Sequence, residues 1–126
     1  MIKTEVFTND TTDILIAPEL AFAIPCIVSN TGVSADAEGK KIIKAGTPLY
    51  GSANVFMERQ TVLSTSGTKA YGIARWDIDV TAGNTNATLL VDGYVDYLKL
   101  ASTVQTAVDS ASENLPRILF VKGRAL

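Results

Sequence analysis

The segment WDIDV, residues 76–80, alternates apolar and acidic side chains strictly. Alternation with period two is typical of a β-strand that has one buried face and one solvated face. The next residues, TAGNTN at 81–86, favour a turn, and ATLLV at 87–91 is a second apolar run. The pattern predicts a hairpin in which the second run returns beside the first. This is the feature that most strongly commits the chain to a β-rich fold.

Other short apolar runs extend the prediction of strands. Residues 24–30, 42–45 and 117–122 each combine β-branched residues with polar flanks. Asp92-Gly93 precedes a further apolar piece at residues 94–97. This dipeptide either turns a hairpin or forms a bulge within one long strand, and the sequence leaves both alternatives open.

One helix is predicted near the C-terminus by apolar residues at helical spacing. These are Val104, Ala107, Val108, Ala111 and Leu115. Ser102 and Gln105 have the spacing of a capping box, in which the two side chains satisfy exposed N–H groups of the first turn. Pro116 is expected to end the helix, because proline has no N–H to donate.

The predicted fold class is mainly β (α+β): a small β-rich sandwich or barrel-like domain with one helix in its C-terminal half. Residues 23–126 form this single domain, and residues 1–22 form an extended N-terminal arm. Two short apolar patches lie in the arm, at Ile2, Val6 and Phe7 and at residues 14–16. Such an arm either joins the sheet as an edge strand or reaches out to a partner.

Composition excludes several function classes. The 126 residues include 11 basic and 13 acidic side chains, a net charge of −2 that argues against a nucleic-acid-binding face. There is no histidine, so a Ser-His-Asp triad and an imidazole metal site are excluded. Cys26, the single cysteine, is interpreted as a small buried apolar residue. No apolar run is long enough to span a membrane, and no signal peptide is recognised, so synthesis in a cytoplasm is expected.

The remaining candidates for chemistry are carboxylates and one indole. Asp77 and Asp79 are two residues apart, with Asp92 and Asp96 further on, and paired carboxylates can act in hydrolysis or bind a hard cation. We interpret them instead as the solvated side of an amphipathic strand. Trp76 is expected in the core. We predict no catalytic residue, no cofactor site and no metal site.

Three segments in order carry a resemblance to a known family. They are KIIKAGTPLYG at residues 41–51, YGIARWDIDVTAGN at 71–84 and ATLLVDGYVD at 87–96. Together with Lys99 and Leu100 before the helix, this order is similar to capsid decoration proteins and head-fibre base domains of tailed bacteriophages. The likeness covers residues 40–126, and the preceding residues carry no signature of the family.

The resemblance implies a structural virion protein without enzymatic activity. Such a protein, made in the host cytoplasm, binds the exterior of the capsid, often as a homotrimer, and reinforces joints between copies of the major capsid protein. The implied partners are the major capsid protein and the chain itself, with no nucleic acid and no membrane. A head-fibre base or a tail-associated subunit is the alternative within virions.

Two surfaces are hypothesised for these contacts. The arm is expected to bind the capsid through its apolar residues, Ile2, Val6, Phe7, Ile14 and Ile16. The trimer contact is expected on the sheet, at Trp76, Val80 and Tyr94. Two alternatives of other classes stay open: a small carbohydrate-binding module that stacks sugars on Trp76 with Tyr94 or Tyr97, and a hydrolase built on Asp77 and Asp79.

Overall fold

A computed structural model of the chain describes residues 13–122, and these residues form a sheet-rich domain with one helix in its C-terminal half. The strands are β1 (Phe22–Val28), β2 (Ile42–Ile43), β3 (Pro48–Tyr50), β4 (Val62–Leu63), β5 (Ala70–Ala74), β6 (Ile78–Asp79), β7 (Thr85–Asp96) and β8 (Ile118–Val121). The α-helix, α1, is Ser102–Ala111. Short 3-10 turns occupy Pro18–Leu20, Tyr97–Lys99 and Ser112–Asn114. The predicted mainly β fold class is confirmed.

Five strands form a sheet that closes on itself. Their order is β3-β5-β7-β1-β4. Tyr50, at the end of β3, exchanges two backbone hydrogen bonds of 2.8 and 2.9 Å with Ser64, directly after β4, which joins the two outer strands. The enclosed core is apolar and consists of Cys26, Val28, Ile43, Leu49, Val55, Leu63, Ala74, Ile78, Val80 and Leu89.

The long strand β7 links this closed sheet to a second, smaller layer. Its first half pairs with β1 and β5, and its second half, from Gly93 to Asp96, pairs with β8. The register against β1 shifts so that Val91 has no partner, which marks a β-bulge. Of the two alternatives for Asp92-Gly93, the structure therefore has one continuous strand with an irregularity. Helix α1 packs on one face of this second layer through residues such as Val104 and Val108.

The predicted hairpin between residues 76–80 and 87–91 is wrong. Only Ile78 and Asp79 form a strand, β6, and it pairs with β2 rather than with β7. Ile78 lies opposite Ile43 in that pair, and both side chains are buried in the enclosed core. The turn at residues 81–84 is present, but it lies at the surface and leads from β6 into β7 without pairing these two strands. Alternation identified the buried residues Ile78 and Val80 and gave no information on the pairing partner.

The predicted helix is confirmed, whereas its predicted cap is not. Ala101 is the N-cap residue and makes no side-chain cap bond. Gln105 donates its backbone N–H to the Ala101 carbonyl at 2.9 Å, and its side-chain amide donates to the carbonyl of Tyr97, also at 2.9 Å. Because Ser102 is already helical, its hydroxyl cannot take the capping position.

The start of the described chain belongs to the second layer. Ile16 donates its N–H to the Tyr94 carbonyl, and Asp96 donates to the Ile14 carbonyl, so residues 14–16 run antiparallel to β7. Ile14 and Leu15 are buried in the cluster beneath α1. Of the two roles predicted for the arm, this part joins the sheet.

Candidate binding surface

One apolar face of the second layer, opposite α1, is not covered by any of residues 13–122. Phe22 in β1 stands opposite Asp92 in β7, and Tyr94 stands opposite Leu119 in β8. Residues i and i+2 of a strand share a face, and so do residues directly opposite each other on neighbouring strands. The side chains of Phe22, Asp92, Tyr94 and Leu119 therefore lie on the same side of the sheet. Phe22 is 58% exposed, Tyr94 42% and Leu119 56%. We call Phe22, Tyr94 and Leu119 the open face.

The open face is bordered by an ion pair. Arg117 Nη1 lies 3.6 Å from Asp92 Oδ2, and both side chains are largely exposed. An ion pair of this kind contributes little to the stability of a protein, because water screens the attraction. Its position beside three exposed apolar residues gives the surface a polar rim, which is the usual anatomy of a protein-binding patch.

A shallow cavity of about 280 Å³ adjoins this rim. Arg117 and Val91 line it on one side, and Phe56 and Tyr71 line it on the other. The two rings meet edge to face, with centroids 5.7 Å apart. The cavity therefore presents half-exposed aromatic carbon next to the open face, where a partner side chain can bury it.

The three residues predicted for the trimer contact lie in different environments. Tyr94 is part of the open face. Val80 is fully buried in the enclosed core, so its side chain cannot form a contact between subunits, and this part of the hypothesis is corrected. Trp76 is 47% exposed, so its predicted place in the core is also wrong. The alternation placed Trp76 with Ile78 and Val80, but the strand begins only at Ile78.

Trp76 belongs to a cluster at the start of the described chain. The guanidinium carbon of Arg75 lies 3.8 Å from the centroid of the Trp76 ring. Arg75 also forms an ion pair with Asp13, 3.0 Å from Nη1 to Oδ1, and both side chains are mostly buried. Asp13 Oδ1 accepts a further hydrogen bond from the Leu15 N–H. The cluster anchors residues 13–16 to the sheet.

The residues predicted for capsid binding divide into two groups. Ile2, Val6 and Phe7 lie outside the described residues. Ile14 is 4% exposed and packs in the core beneath α1, so it is not available to a partner, and Ile16 is half-buried. The 14–16 patch is too short to form a core of its own, and it is buried because it adds to the edge of β7.

The two carboxylates considered for hydrolysis, Asp77 and Asp79, accept hydrogen bonds from N–H or hydroxyl groups of the protein. Asp77 Oδ1 accepts the N–H of Ala45 at 2.7 Å. Asp79 Oδ1 accepts both the N–H and the hydroxyl of Thr81, and these bonds lower the pKa of Asp79 below its ordinary value. A general acid needs a raised pKa, so the shift runs opposite to the one a hydrolase requires. No cluster of three potential metal ligands occurs among residues 13–122.

Cys26 is buried in the enclosed core, as predicted. Burial raises the pKa of its thiol to about 11, because the charged thiolate is poorly solvated there. A nucleophilic cysteine needs a lowered pKa. The thiol is therefore structural at neutral pH.

The aromatic rings proposed for sugar stacking are partly occupied. Arg75 covers one face of Trp76, and the Lys122 ammonium lies 5.8 Å from the centroid of Tyr97. The Tyr97 hydroxyl donates to Asp109 at 2.9 Å. These contacts compete with a sugar for the rings of Trp76 and Tyr97, and Tyr94 lies on the open face beside Phe22 and Leu119.

No known family model matches the chain, and no curated protein is similar enough to count as a relative. Within the part of the chain that the structure describes, no helix is long and apolar enough to cross a membrane.

Proposed function

We propose that this protein is a structural, non-enzymatic subunit of a bacteriophage virion. It binds the exterior of the capsid and reinforces joints between copies of the major capsid protein, as a homotrimer. The proposal begins from the sequence resemblance over residues 40–126. The structural observation that supports it is the open face, three exposed apolar residues on a hydrogen-bonded sheet whose opposite side is covered by a helix.

Exposed apolar area of this kind is best explained by contact with another protein. Phe22, Tyr94 and Leu119 come from three different strands, so their side chains are held in fixed positions by the sheet. A surface that needs no rearrangement loses little conformational entropy when it binds. In the proposed trimer the open face makes the contact between subunits, while residues before Asp13 contact the shell. Three weak shell contacts then act together, which raises the overall affinity.

Co-sedimentation with empty shells of major capsid protein tests the proposal. We expect the full chain to pellet with shells and to sediment as a trimer in solution. Tyr94→Lys should remain folded, because the side chain is exposed, but should sediment as a monomer and bind shells at least about tenfold more weakly. Val62→Lys is the control and should behave like the parent chain, because Val62 is exposed and pairs with Ile27, at the other end of β1 from Phe22. Absence of shell binding by the parent chain would overturn the proposal.

A further inference from the structure

Two lysines of the described chain lie beside tyrosine rings. Lys69 Nζ is 5.6 Å from the centroid of the Tyr71 ring, and Lys122 Nζ is 5.8 Å from the centroid of the Tyr97 ring. Each pair lines a cavity, so a cation meets aromatic carbon at two places on the surface. The two cavities differ in the charge of their other lining residues, and this difference decides which of them suits an anion.

The cavity at Tyr97 already contains a carboxylate. Asp109 lines this cavity, and its Oδ1 accepts a hydrogen bond from the Tyr97 hydroxyl at 2.9 Å. A carboxylate that is held in place repels a second anion at short range. The cavity at Tyr97 is therefore unsuited to an acidic ligand.

The cavity at Tyr71 has no carboxylate among its lining residues within the described chain. Its two charged lining residues are Lys69 and Arg117, and Arg117 already pairs with Asp92. Lys69 is exposed and forms no ion pair with any of residues 13–122. Lys69 is thus the cation that an incoming carboxylate can pair with.

Asn54 adds a hydrogen-bond donor to the cavity at Tyr71. Its Oδ1 accepts the N–H of Phe56 at 2.9 Å, which fixes the orientation of the side-chain amide. The Asn54 carbonyl accepts the N–H groups of Met57 and Glu58, so the loop that carries this amide is itself held in place. With Oδ1 in use, the amide presents Nδ2, which donates hydrogen bonds to an acceptor such as a carboxylate.

The rest of the cavity at Tyr71 suits one ring. The edge-to-face pair of Phe56 and Tyr71 forms one wall, and Val91 and Leu115 add aliphatic carbon. Aromatic rings favour offset or edge-to-face contact with a further ring. The volume of about 280 Å³ is just below the usual range of about 300–1,000 Å³ for small-molecule sites, so a single-ring ligand fits better than a larger one.

We infer that this cavity binds a small aromatic carboxylate, with its ring against Phe56, Tyr71 and Val91 and its carboxylate paired with Lys69. Apolar contact supplies most of the affinity, and the charge of Lys69 selects an acid over a neutral compound of the same shape. The inference goes beyond the proposed function, since it needs neither a shell nor a trimer.

The test uses phenylacetate, titrated into the isotope-labelled full chain and followed by NMR. We expect the amides of Tyr71, Val91 and Leu115 to shift together and to saturate with a Kd tighter than about 5 mM. Phenylacetamide has the same shape without the charge, and it should bind at least about threefold more weakly, because it cannot pair with an ammonium group.

Two lysine variants provide a matched comparison. Lys69→Met keeps the length of the side chain and removes its charge, so it should weaken phenylacetate binding at least about threefold and leave phenylacetamide binding unchanged. Lys122→Met removes the lysine beside Tyr97 and should bind phenylacetate like the parent chain. Both lysines are exposed, so both variants should stay folded.

Four results would each overturn the inference. They are a Kd of phenylacetate weaker than about 5 mM, shifts confined to residues away from the Tyr71 cavity, equal affinity for phenylacetamide, and parent-like phenylacetate binding by Lys69→Met. None of these results bears on shell binding, which the sedimentation experiment tests separately.

Discussion

Gly72 and Gly93 are both buried in the sheet, but a methyl group would meet different surroundings at the two positions. A Cβ on Gly72 would lie 2.5 Å from the Leu90 carbonyl oxygen and 2.8 Å from Leu89 Cδ1. A Cβ on Gly93 would meet its nearest atom, Ala21 Cβ, at an ordinary 3.4 Å. Gly72 is therefore required by the close approach of β5 to β7, whereas Gly93 is not required for reasons of space.

We expect Gly72→Ala to lower the free energy of unfolding by about 1–3 kcal/mol, because the sheet must shift to admit the methyl group. Gly93→Ala is the matched control. It should leave stability unchanged or raise it slightly, since alanine loses less backbone entropy on folding than glycine. Urea denaturation of both variants measures the difference, and equal stability of the two would contradict this explanation of the packing.

Cys26 gives a prediction about alkaline pH. Its pKa is raised from 9.0 to about 11 in the folded protein, so the unfolded chain loses the thiol proton first as pH rises. The contribution of Cys26 to stability is fully present below pH 9 and is lost between pH 9 and 11. In Cys26→Ala the free energy of unfolding should decline less steeply over that range than in the parent chain. Identical slopes would show that the thiol is not desolvated.

At the scale of elements, the strand β7 organises the fold because it serves two layers. Its bulge at Val91 lies where it leaves the closed sheet and enters the layer that carries the open face. Residues 14–16 and β8 complete that layer from opposite sides. The ion pair between Arg75 and Asp13 holds residues 14–16 in place beside β7.

Removal of this ion pair should loosen the 14–16 segment selectively. Asp13→Asn leaves the Arg75 guanidinium without its charged partner in a mostly buried place, a cost of about 1–3 kcal/mol. The amides of Ile16 and Asp96, which bond across the segment, should then exchange faster with solvent. Asp92→Asn breaks the exposed pair with Arg117 and should cost less than about 0.5 kcal/mol. Unchanged exchange in Asp13→Asn would contradict the anchoring role.

The position of residues 13–16 also determines where the N-terminus can be cut. Deletion through residue 12 spares Ile14, Leu15 and the Asp13 pair, so the shortened chain should unfold at the parent's denaturant midpoint. Deletion through residue 17 removes two core residues and should be strongly destabilising. If the proposed shell contact is right, deletion through residue 12 abolishes binding to capsid shells. Normal shell binding by that folded variant would contradict the role given to Ile2, Val6 and Phe7.

The sequence predicted the features that depend on residues close together in the chain. The spacing of Val104 and Val108 predicted α1, and the apolar neighbours of Cys26 predicted that its side chain is buried. The pairing of β6 with β2 and the exposure of Trp76 depend on which distant segments come together. Of the candidate site, Tyr94 was predicted, whereas Phe22 and Leu119 were missed. Their exposure follows from cross-strand register, for which a single sequence carries little signal.

At the scale of the whole molecule, a closed sheet with an apolar core continues into a second layer that carries α1 on one face. The side of that layer that no described residue covers holds the open face, which is positioned to contact another protein. Asp77 and Asp79, the carboxylates considered for hydrolysis, accept hydrogen bonds from the N–H groups of Ala45 and Thr81. The open face is the observation that supports the proposal of a structural subunit.

The most direct test of that proposal is quantitative mass spectrometry of virus particles purified from cells that carry the gene for this chain. We expect the protein to be present at a copy number comparable to that of the major capsid protein, and to be removed by surface proteolysis while the shell remains intact. Its absence from purified virions, or its presence only in a few copies per particle, would contradict the account.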